Sequence, residues 1–202
     1  MLVSGNARIL VSENAILPSI APYLNQLRTE KPEVFRHSLN VAYLVAEIIL
    51  RNYTDDLSLT VEKDSLNDVL QGALLHDIGK LRIDNRILLK ESPLTDDEID
   101  EIRKHPLYGY EMVERDDSLS VATKNIILSH HERPDGSGYP YHIKDIQNSV
   151  KIVSICDKYD ALTENRSYRP KKDLYTAFKI ILEEQDESDF DMLLLLASIN
   201  EK

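Results

Sequence analysis

Residues 65–80 read SLNDVLQGALLHDIGK, an apolar run that ends in a histidine and an aspartate. Apolar residues recur in it at three- and four-residue spacing, the pattern of one face of an α-helix: Leu66, Val69, Leu70, Ala73 and Leu74. We expect this helix to begin at Asp64 or Ser65 and to end near His76. A buried imidazole or carboxylate costs free energy unless a partner meets it. The stretch therefore predicts a core helix that carries His76 and Asp77 to a polar site.

Helical periodicity also dominates the sequence before this run. Ser12 is a candidate cap for a helix through about Arg28, and Pro32 suits the first position of the next helix. The predicted inner face of that next helix repeats every three or four residues: Glu33, His37, Val41, Leu44, Val45 and Ile48. Alternation with a period of two is confined to short stretches, so the fold class that we predict is all-α.

After the run, specific residues mark where helices start and stop. Residues 95–98, TDDE, form a capping box, and Pro106 is expected to kink or restart the helix that follows. A helix from about Leu119 is expected to end at His130, before the Pro-Asp-Gly turn signal at 134–136. Further helices are predicted over about 149–164, 172–186 and 189–200.

Composition and charge exclude several classes of protein. The 202 residues include 24 Lys and Arg against 35 Asp and Glu, a net charge of -11, which argues against a surface built for DNA or anionic lipid. Cys156 is the one cysteine, so a disulfide framework is excluded and a reducing cytoplasm is the expected location. No apolar run reaches the roughly 18–20 residues of a membrane span, and no signal peptide is recognisable. We expect an N-terminal extension or helix over 1–30 and one domain over 31–202.

Histidine and aspartate are concentrated where metal ligands are expected. Five of the six histidines lie beside a helix end or another candidate ligand: His37, His76, His105, His130 and His131. One histidine alone is more often a core or surface residue than a ligand, so the joint pattern is what carries weight. Asp157 and Asp160 add carboxylates one turn apart on a later helix. Imidazole and carboxylate without thiolate favour Fe, Mn, Ni, Co or Zn.

These five histidines, Asp77 and Asp157 make seven candidate donors, which are too many for one ion. Adjacent residues on a helix point about 100° apart, so the pairs at 76–77 and 130–131 suit two metals, or one metal at a helix end. If all seven donors converge, the sequence predicts at least two metals, with Asp77 as the candidate bridging carboxylate.

Two motifs connect these residues to a known family. Residues 130–140, HHERPDGSGYP, match the pattern HHExxDGxGYP, and residues 76–80, HDIGK, match HDxGK. In these motifs the sequence resembles the HD-GYP subfamily of the HD metal-dependent phosphohydrolases, over about residues 33–196. The resemblance implies a single bundle of about seven or more helices around a metal site, in agreement with the all-α prediction.

The resemblance also implies an activity, the hydrolysis of cyclic di-GMP to pGpG and, by a second cut, GMP. A hydroxide that bridges two metals is expected to attack the phosphodiester. The positions that match the subfamily's metal ligands are all filled: His37, His76, Asp77, His105, His130, His131 and Asp157. Glu33 matches the extra ligand of members with three metals, although a carboxylate there also complements a helix N-terminus. Two or three divalent metals are therefore expected, Fe or Mn first, with Ni, Co or Zn as alternatives.

Other matching positions are implied to bind substrate. Lys80 is expected to stabilise the phosphate or to help protonate the leaving oxygen, and Tyr139 to line the pocket or stack on guanine. Arg166 and Arg169 match phosphate contacts, the second of which is usually Lys. The chain departs from the subfamily's usual pattern mainly in loops, and it has Asn40 where Arg is common.

Two other functions are compatible with the sequence. In the first, the substrate is 3′,3′-cyclic GMP-AMP or another nucleotide, because no residue that selects guanine over adenine is readable. In the second, the chain is a catalytically silent module that docks onto diguanylate cyclase (GGDEF) domains, as the resemblance implies for the GYP surface. Silent members usually lack ligands and this chain lacks none, which favours an enzyme. The oligomeric state is not readable from the sequence.

Overall fold

Helices account for the regular secondary structure of residues 19–55, 66–164, 171–183 and 190–199, which the computed structural model describes. In chain order they are α1 (Ala21–Glu30), α2 (Pro32–Asp55), α3 (Leu66–Leu75), α4 (Asn85–Leu88), α5 (Asp96–Ile102), α6 (His105–Val113), α7 (Val121–Ser129), α8 (Asn148–Thr163), α9 (Leu174–Leu182) and α10 (Phe190–Ile199). A 3₁₀ helix, Ile78–Arg82, follows α3. The all-α prediction is confirmed.

Several predicted helix starts are confirmed by the local geometry. Pro32 is the first residue of α2. At the start of α5, Thr95 Oγ1 accepts a hydrogen bond from the Glu98 amide at 3.3 Å, and the Thr95 amide donates to Glu98 Oε2 at 2.8 Å. Pro106 lies in the first turn of α6, so the chain restarts a helix there, as one of the two predicted outcomes.

The predicted helix bounds agree with the structure to within a few residues where they can be compared. The helices expected over 149–164, 172–186 and 189–200 correspond to α8, α9 and α10. The predicted start at Ser12, and the start at Asp64 or Ser65, lie outside the described residues. The 3₁₀ helix and α4 were not predicted. Asp84 caps α4 by accepting from the Arg86 amide at 2.8 Å, a short signal inside a polar stretch.

The centre of the fold is α2, which contacts α1, α3, α8 and α10. Its inner face is fully buried at the predicted positions Val41, Leu44, Val45 and Ile48, whereas Glu33, predicted on the same face, is exposed at the helix start. Burial of such a side chain is worth about 1.5–3 kcal/mol, so this face fixes how α2 sits against its neighbours. Because α7 packs on α3, α6 and α8, the ends of α3 and α7 lie close to the start of α6.

The 3₁₀ helix touches α6 through two glycines. A Cβ atom built on Gly79 would lie 1.9 Å from the carbonyl oxygen of His105 and 2.5 Å from the amide nitrogen of Gly109. Only a residue without a side chain permits this approach. The contact places Asp77, which precedes the 3₁₀ helix, against the first residue of α6.

Candidate metal centre

The structure brings the seven predicted donors to one place at the middle of the bundle. They come from five parts of the chain: His37 from the start of α2, His76 and Asp77 from the turn after α3, His105 from the start of α6, His130 and His131 from the end of α7, and Asp157 from α8. Most are buried, and the exposed fractions of His76 and His130 are both 0%.

Asp77 lies between several histidines. Its Oδ1 is 3.2 Å from His105 Nε2, and its Oδ2 is 3.5 Å from His76 Nε2 and 3.8 Å from His37 Nε2. His105 Nε2 is in turn 3.1 Å from His130 Nε2. One carboxylate therefore faces imidazoles on both sides of the cluster, which is the arrangement expected of a bridging ligand.

Three overlapping groups of donors among the described residues are close enough to hold metal ions. Within each group the ligand atoms all lie within 4.8 Å of one another. The groups are His37 with His76 and Asp157, His76 with Asp77 and His130, and His105 with His130 and His131. Because His76 and His130 each belong to two groups, the arrangement suits neighbouring ions better than isolated sites.

Helix ends orient three of these imidazoles. The last carbonyls of a helix have no amide partner within the helix. Three such carbonyls accept from a histidine Nδ1: Ala73 O from His76 at 2.7 Å, Ile102 O from His105 at 2.7 Å, and Ile127 O from His130 at 3.0 Å. The lone pair of each neutral ring is then on Nε2, and this nitrogen points to the cluster of donors.

Burial and neighbouring charges set the protonation of the cluster. Burial, followed by the charge of neighbouring imidazoles, holds the pKa of His130 well below its usual value and lowers the pKa of His131 to about 3. Burial raises the pKa of Asp77, but Lys80 and two histidines outweigh it and hold that pKa well below its usual range. Burial lowers the pKa of His37, but hydrogen bonds to Asp157 and a second carboxylate raise it to about 9.

The donor set fits divalent transition metals. His76 Nε2 is fully buried and has no hydrogen-bond partner among the described residues. Such an atom costs about 1–3 kcal/mol if nothing satisfies it, so a ligand role accounts for its placement. Neutral imidazoles and ionised carboxylates are the forms that bind metal, so His37 has to release a proton when it becomes a ligand. Cys156 is buried next to Asp157, but its thiol is outside the three groups, so the set remains nitrogen and oxygen.

Lys80 and Glu33 lie beside the cluster. Lys80 Nζ donates to Asp77 Oδ2 at 2.6 Å, and its side chain is 18% exposed. Glu33 is exposed and lines the same cavity as His37 and Asp77. Its carboxylate is therefore near the cluster without belonging to any of the three donor groups.

Tyr139 covers one side of the cluster. Its ring stacks on that of His131, with centroids 4.7 Å apart and planes 28° apart, and the Arg103 guanidinium lies 5.8 Å from its centroid. Burial raises the pKa of the Tyr139 hydroxyl, so it stays protonated near neutral pH. Glu132 holds the loop in place by accepting from the amides of Tyr141 at 2.6 Å and Ile143 at 3.0 Å.

A cavity of about 660 Å³ opens next to the cluster. Its polar lining includes Glu33, Arg36, His37, Asp77 and Lys80. Its apolar lining comes from α4, the loop after it and the end of α5: Ile87, Leu88, Leu89, Pro93, Leu94 and Ile102. The two kinds of surface in one cavity suit a molecule with a charged part and a flat or apolar part.

Several residues around the donors and the cavity were not predicted from the sequence. Neither the apolar lining nor the cover of Tyr139 by Arg103 was predicted. Lys31 is buried and donates to Ile83 O at 2.7 Å and to Asn85 Oδ1, which ties the start of α2 to α4 beside the cavity. A lysine just before a helix reads as a surface residue, so no local signal reveals this role. The predicted phosphate contacts Arg166 and Arg169 lie outside the described residues.

A comparison with known protein families shows to which family the chain belongs. The family model described as "HD domain" matches residues 23–194. The chain belongs to the HD domain family. A solved structure, an HDG"Y"P protein from Bdellovibrio bacteriovorus, superposes on this HD domain with a TM-score of 0.66 at 19% identity, over 98% of this chain and 68% of that chain. This likeness shows a common fold.

Curated relatives extend the family assignment. A probable cyclic di-GMP phosphodiesterase of Vibrio cholerae serotype O1 is 36% identical over an alignment of 188 residues, which covers 86% of this HD domain chain and 42% of the relative. A 3′3′-cGAMP-specific phosphodiesterase 2 of the same organism is 40% identical over an alignment of 110 residues, which covers 52% of this chain and 21% of the relative. The chain thus spans less than half the length of either protein. The resemblance to HD-GYP members is confirmed.

Helices able to cross a membrane are missing from the described part of this HD domain, because none is both long and apolar enough. The predicted boundary at residue 31 stays a prediction. The family match begins at residue 23, within α1.

Proposed function

We propose that the chain is a metal-dependent phosphodiesterase domain that hydrolyses a cyclic dinucleotide, with cyclic di-GMP as the favoured substrate and pGpG as the first product. The observation that carries this proposal is the convergence of all seven donors beside a cavity that also holds Lys80. The name and 36% identity of the first Vibrio relative support the choice of substrate. A complete ligand set argues against the silent docking role, and a GGDEF-domain partner stays a prediction.

The three donor groups would hold two or three divalent metals, with Fe or Mn favoured by the nitrogen and oxygen ligands. Bound metals of this kind lower the pKa of water and offset negative charge on a phosphodiester. Asp77 is proposed as the shared ligand, since it faces histidines of more than one group. Glu33, one turn before His37, is proposed as the additional ligand of a third metal.

The cavity has a polar and an apolar lining, and different parts of the substrate are proposed to lie against each. The phosphodiester is proposed to lie by Lys80 and Asp77, since an ammonium group there attracts phosphate oxygens. A purine base is proposed to lie along the apolar lining that includes Leu89 and Leu94. Tyr139, Arg166 and Arg169 remain proposed substrate contacts.

Lys80 is proposed to bind the phosphate and to help protonate the leaving ribose oxygen. We expect Lys80→Met to lower kcat about 100- to 1,000-fold, the usual cost of removing one donor that stabilises developing charge. Lys104→Met is the matched control, because Lys104 also pairs with an acid three residues before it, Glu101, at 2.8 Å. Steady-state kinetics with metal-loaded protein measures both, and an equal loss in the two variants would contradict the role of Lys80.

The apolar lining gives a separate prediction about substrate affinity. Leu89 is 55% exposed and lines the cavity, so Leu89→Asp should fold normally but place a charge where a base is proposed to lie. We expect KM to rise about tenfold, equivalent to about 1.4 kcal/mol, with little change in kcat or metal content. Val121→Asp, at a site 84% exposed on α7 and away from the cavity, should leave KM unchanged. An unchanged KM in Leu89→Asp would place the base elsewhere.

A second substrate, 3′,3′-cyclic GMP-AMP, is favoured by one observation. The second Vibrio relative is named as specific for that molecule and is 40% identical to this chain over the region it shares. Both dinucleotides have the same phosphodiester chemistry and differ in one base.

The decisive experiment purifies the protein anaerobically, loads it with Mn(II) or Fe(II), and separates the products by chromatography. Each dinucleotide is incubated with metal-loaded and with chelator-treated protein. We expect cyclic di-GMP to give pGpG only with metal, and faster than the mixed dinucleotide reacts. Faster cleavage of cyclic GMP-AMP would reverse the choice of substrate. Cleavage of neither by metal-loaded protein would contradict the proposed enzyme.

A further inference from the structure

The imidazole of His37 lies between two carboxylates that are one turn apart on α8. Its Nε2 lies 2.8 Å from Asp157 Oδ1, and its Nδ1 donates to Asp160 Oδ2 at 2.6 Å. Asp160 is 2% exposed. A carboxylate removed from water in this way is tolerated only with a partner of matching charge or hydrogen bonding. The contact with His37 supplies that partner.

The position of His37 in its helix explains why it uses a side chain for this contact. Three other histidines of the cluster donate Nδ1 to carbonyls that a helix end leaves free. His37 lies near the start of α2, and the helix continues to Asp55, so the carbonyls one turn before it accept bonds from the amides of the same helix. Asp160 fills the role of the missing carbonyl from a helix more than 100 residues later.

We propose that Asp160 is a positioning residue that fixes Nδ1 of His37 and so presents Nε2 to the group formed with His76 and Asp157. This positioning role rests on the proposed metal-dependent function, but Asp160 itself lies outside the seven donors. A carboxylate behind a metal-binding imidazole orients the ring and makes the ligand more basic. Loss of such a partner typically costs about 10- to 100-fold in metal affinity.

The test is a titration of the full chain with Mn(II) alone, without nucleotide. We expect Asp160→Ala to weaken the binding of one ion about 10- to 100-fold. Asp160→Asn keeps the size of the side chain and one acceptor oxygen, so its loss should be smaller. Asp117→Asn, at an exposed site, is the matched control and should bind like the wild type. Circular dichroism verifies that each variant is folded before it is titrated.

A double-mutant cycle separates positioning from a general effect on the fold. If Asp160 acts through His37, Asp160→Ala has no further effect on Mn(II) affinity in a His37→Ala background. Equal losses in both backgrounds would overturn the proposal, as would wild-type affinity in Asp160→Ala. The readout is independent of the reaction. Wild-type protein that binds Mn(II) but cleaves no cyclic dinucleotide contradicts the proposed function alone.

Discussion

Asp77→Ala is expected to abolish the turnover of cyclic di-GMP and to lower the metal content of the protein. Asp77 faces His76 at 3.5 Å and His105 at 3.2 Å, and it pairs with Lys80 at 2.6 Å. One substitution therefore removes a shared ligand and releases the lysine that is proposed to bind phosphate. Loss of a residue that only supports a metal ligand lowers metal affinity or activity about 10- to 100-fold. Loss of a shared ligand should therefore lower kcat by more than roughly 100-fold.

Two measurements on the same preparations check this result. Elemental analysis gives the metal content per chain, and chromatography gives the rate at which pGpG forms. Asp117→Ala, at an exposed position, should match the wild type in both. Turnover retained in Asp77→Ala would contradict the bridging role. Lost turnover at full metal content would show that Asp77 acts on substrate and is dispensable for holding the ions.

Among the substitutions proposed for this chain, Gly79→Ala is expected to cause the largest loss of folding stability. The added Cβ would lie 1.9 Å from His105 O and 2.5 Å from the amide nitrogen of Gly109, and both are backbone atoms of α6. This steric clash can be removed only if the 3₁₀ helix and α6 move apart. We expect the free energy of unfolding to fall by about 3 kcal/mol or more, as in severe overpacking. Since His105 begins α6, Mn(II) affinity should fall as well.

Urea unfolding of the metal-free protein measures this effect, with Gly136→Ala as the comparison. Gly136 has a φ of +82°, and a Cβ there would meet the end of the Lys144 side chain at 2.7 Å. That side chain can move away, so the expected cost is the backbone strain of about 1–2 kcal/mol. Similar losses in the two variants would contradict a specific close contact between the 3₁₀ helix and α6.

Four of the seven donors were predictable from sequence because they carry a local signal. His76 and Asp77 end an apolar helical run, and His130 and His131 precede a turn signal. The same logic explains the start of α5, where Thr95 and the acid three residues later cap each other. Such signals need only residues within one or two turns, and the structure places the seven donors together as the pattern predicted.

Other features were not predictable because their partners are distant in the sequence. Asp160 lies one turn after Asp157, and no local signal separates a buried orienting role from a surface position; its contact with His37 favours the orienting role. Leu89 and Leu94 lie in a short polar-flanked stretch, where nothing local shows that they line a cavity with Lys80. Lys31 is buried for the same kind of reason, since Ile83 and Asn85 receive its bonds from another segment.

The sequence by itself determined the helical class, the identity of the candidate ligands and the family, because helix periodicity, caps and motif spacing are local properties of the chain. The tertiary structure decided which ring nitrogen faces the cluster, which acid supports which histidine, and which surface adjoins the ligands. These depend on packing between helices, which brings together atoms such as His37 Nδ1 and Asp160 Oδ2 at 2.6 Å. Hydrogen bonds form only at donor–acceptor distances of about 3 Å, so their partners are fixed when the bundle closes.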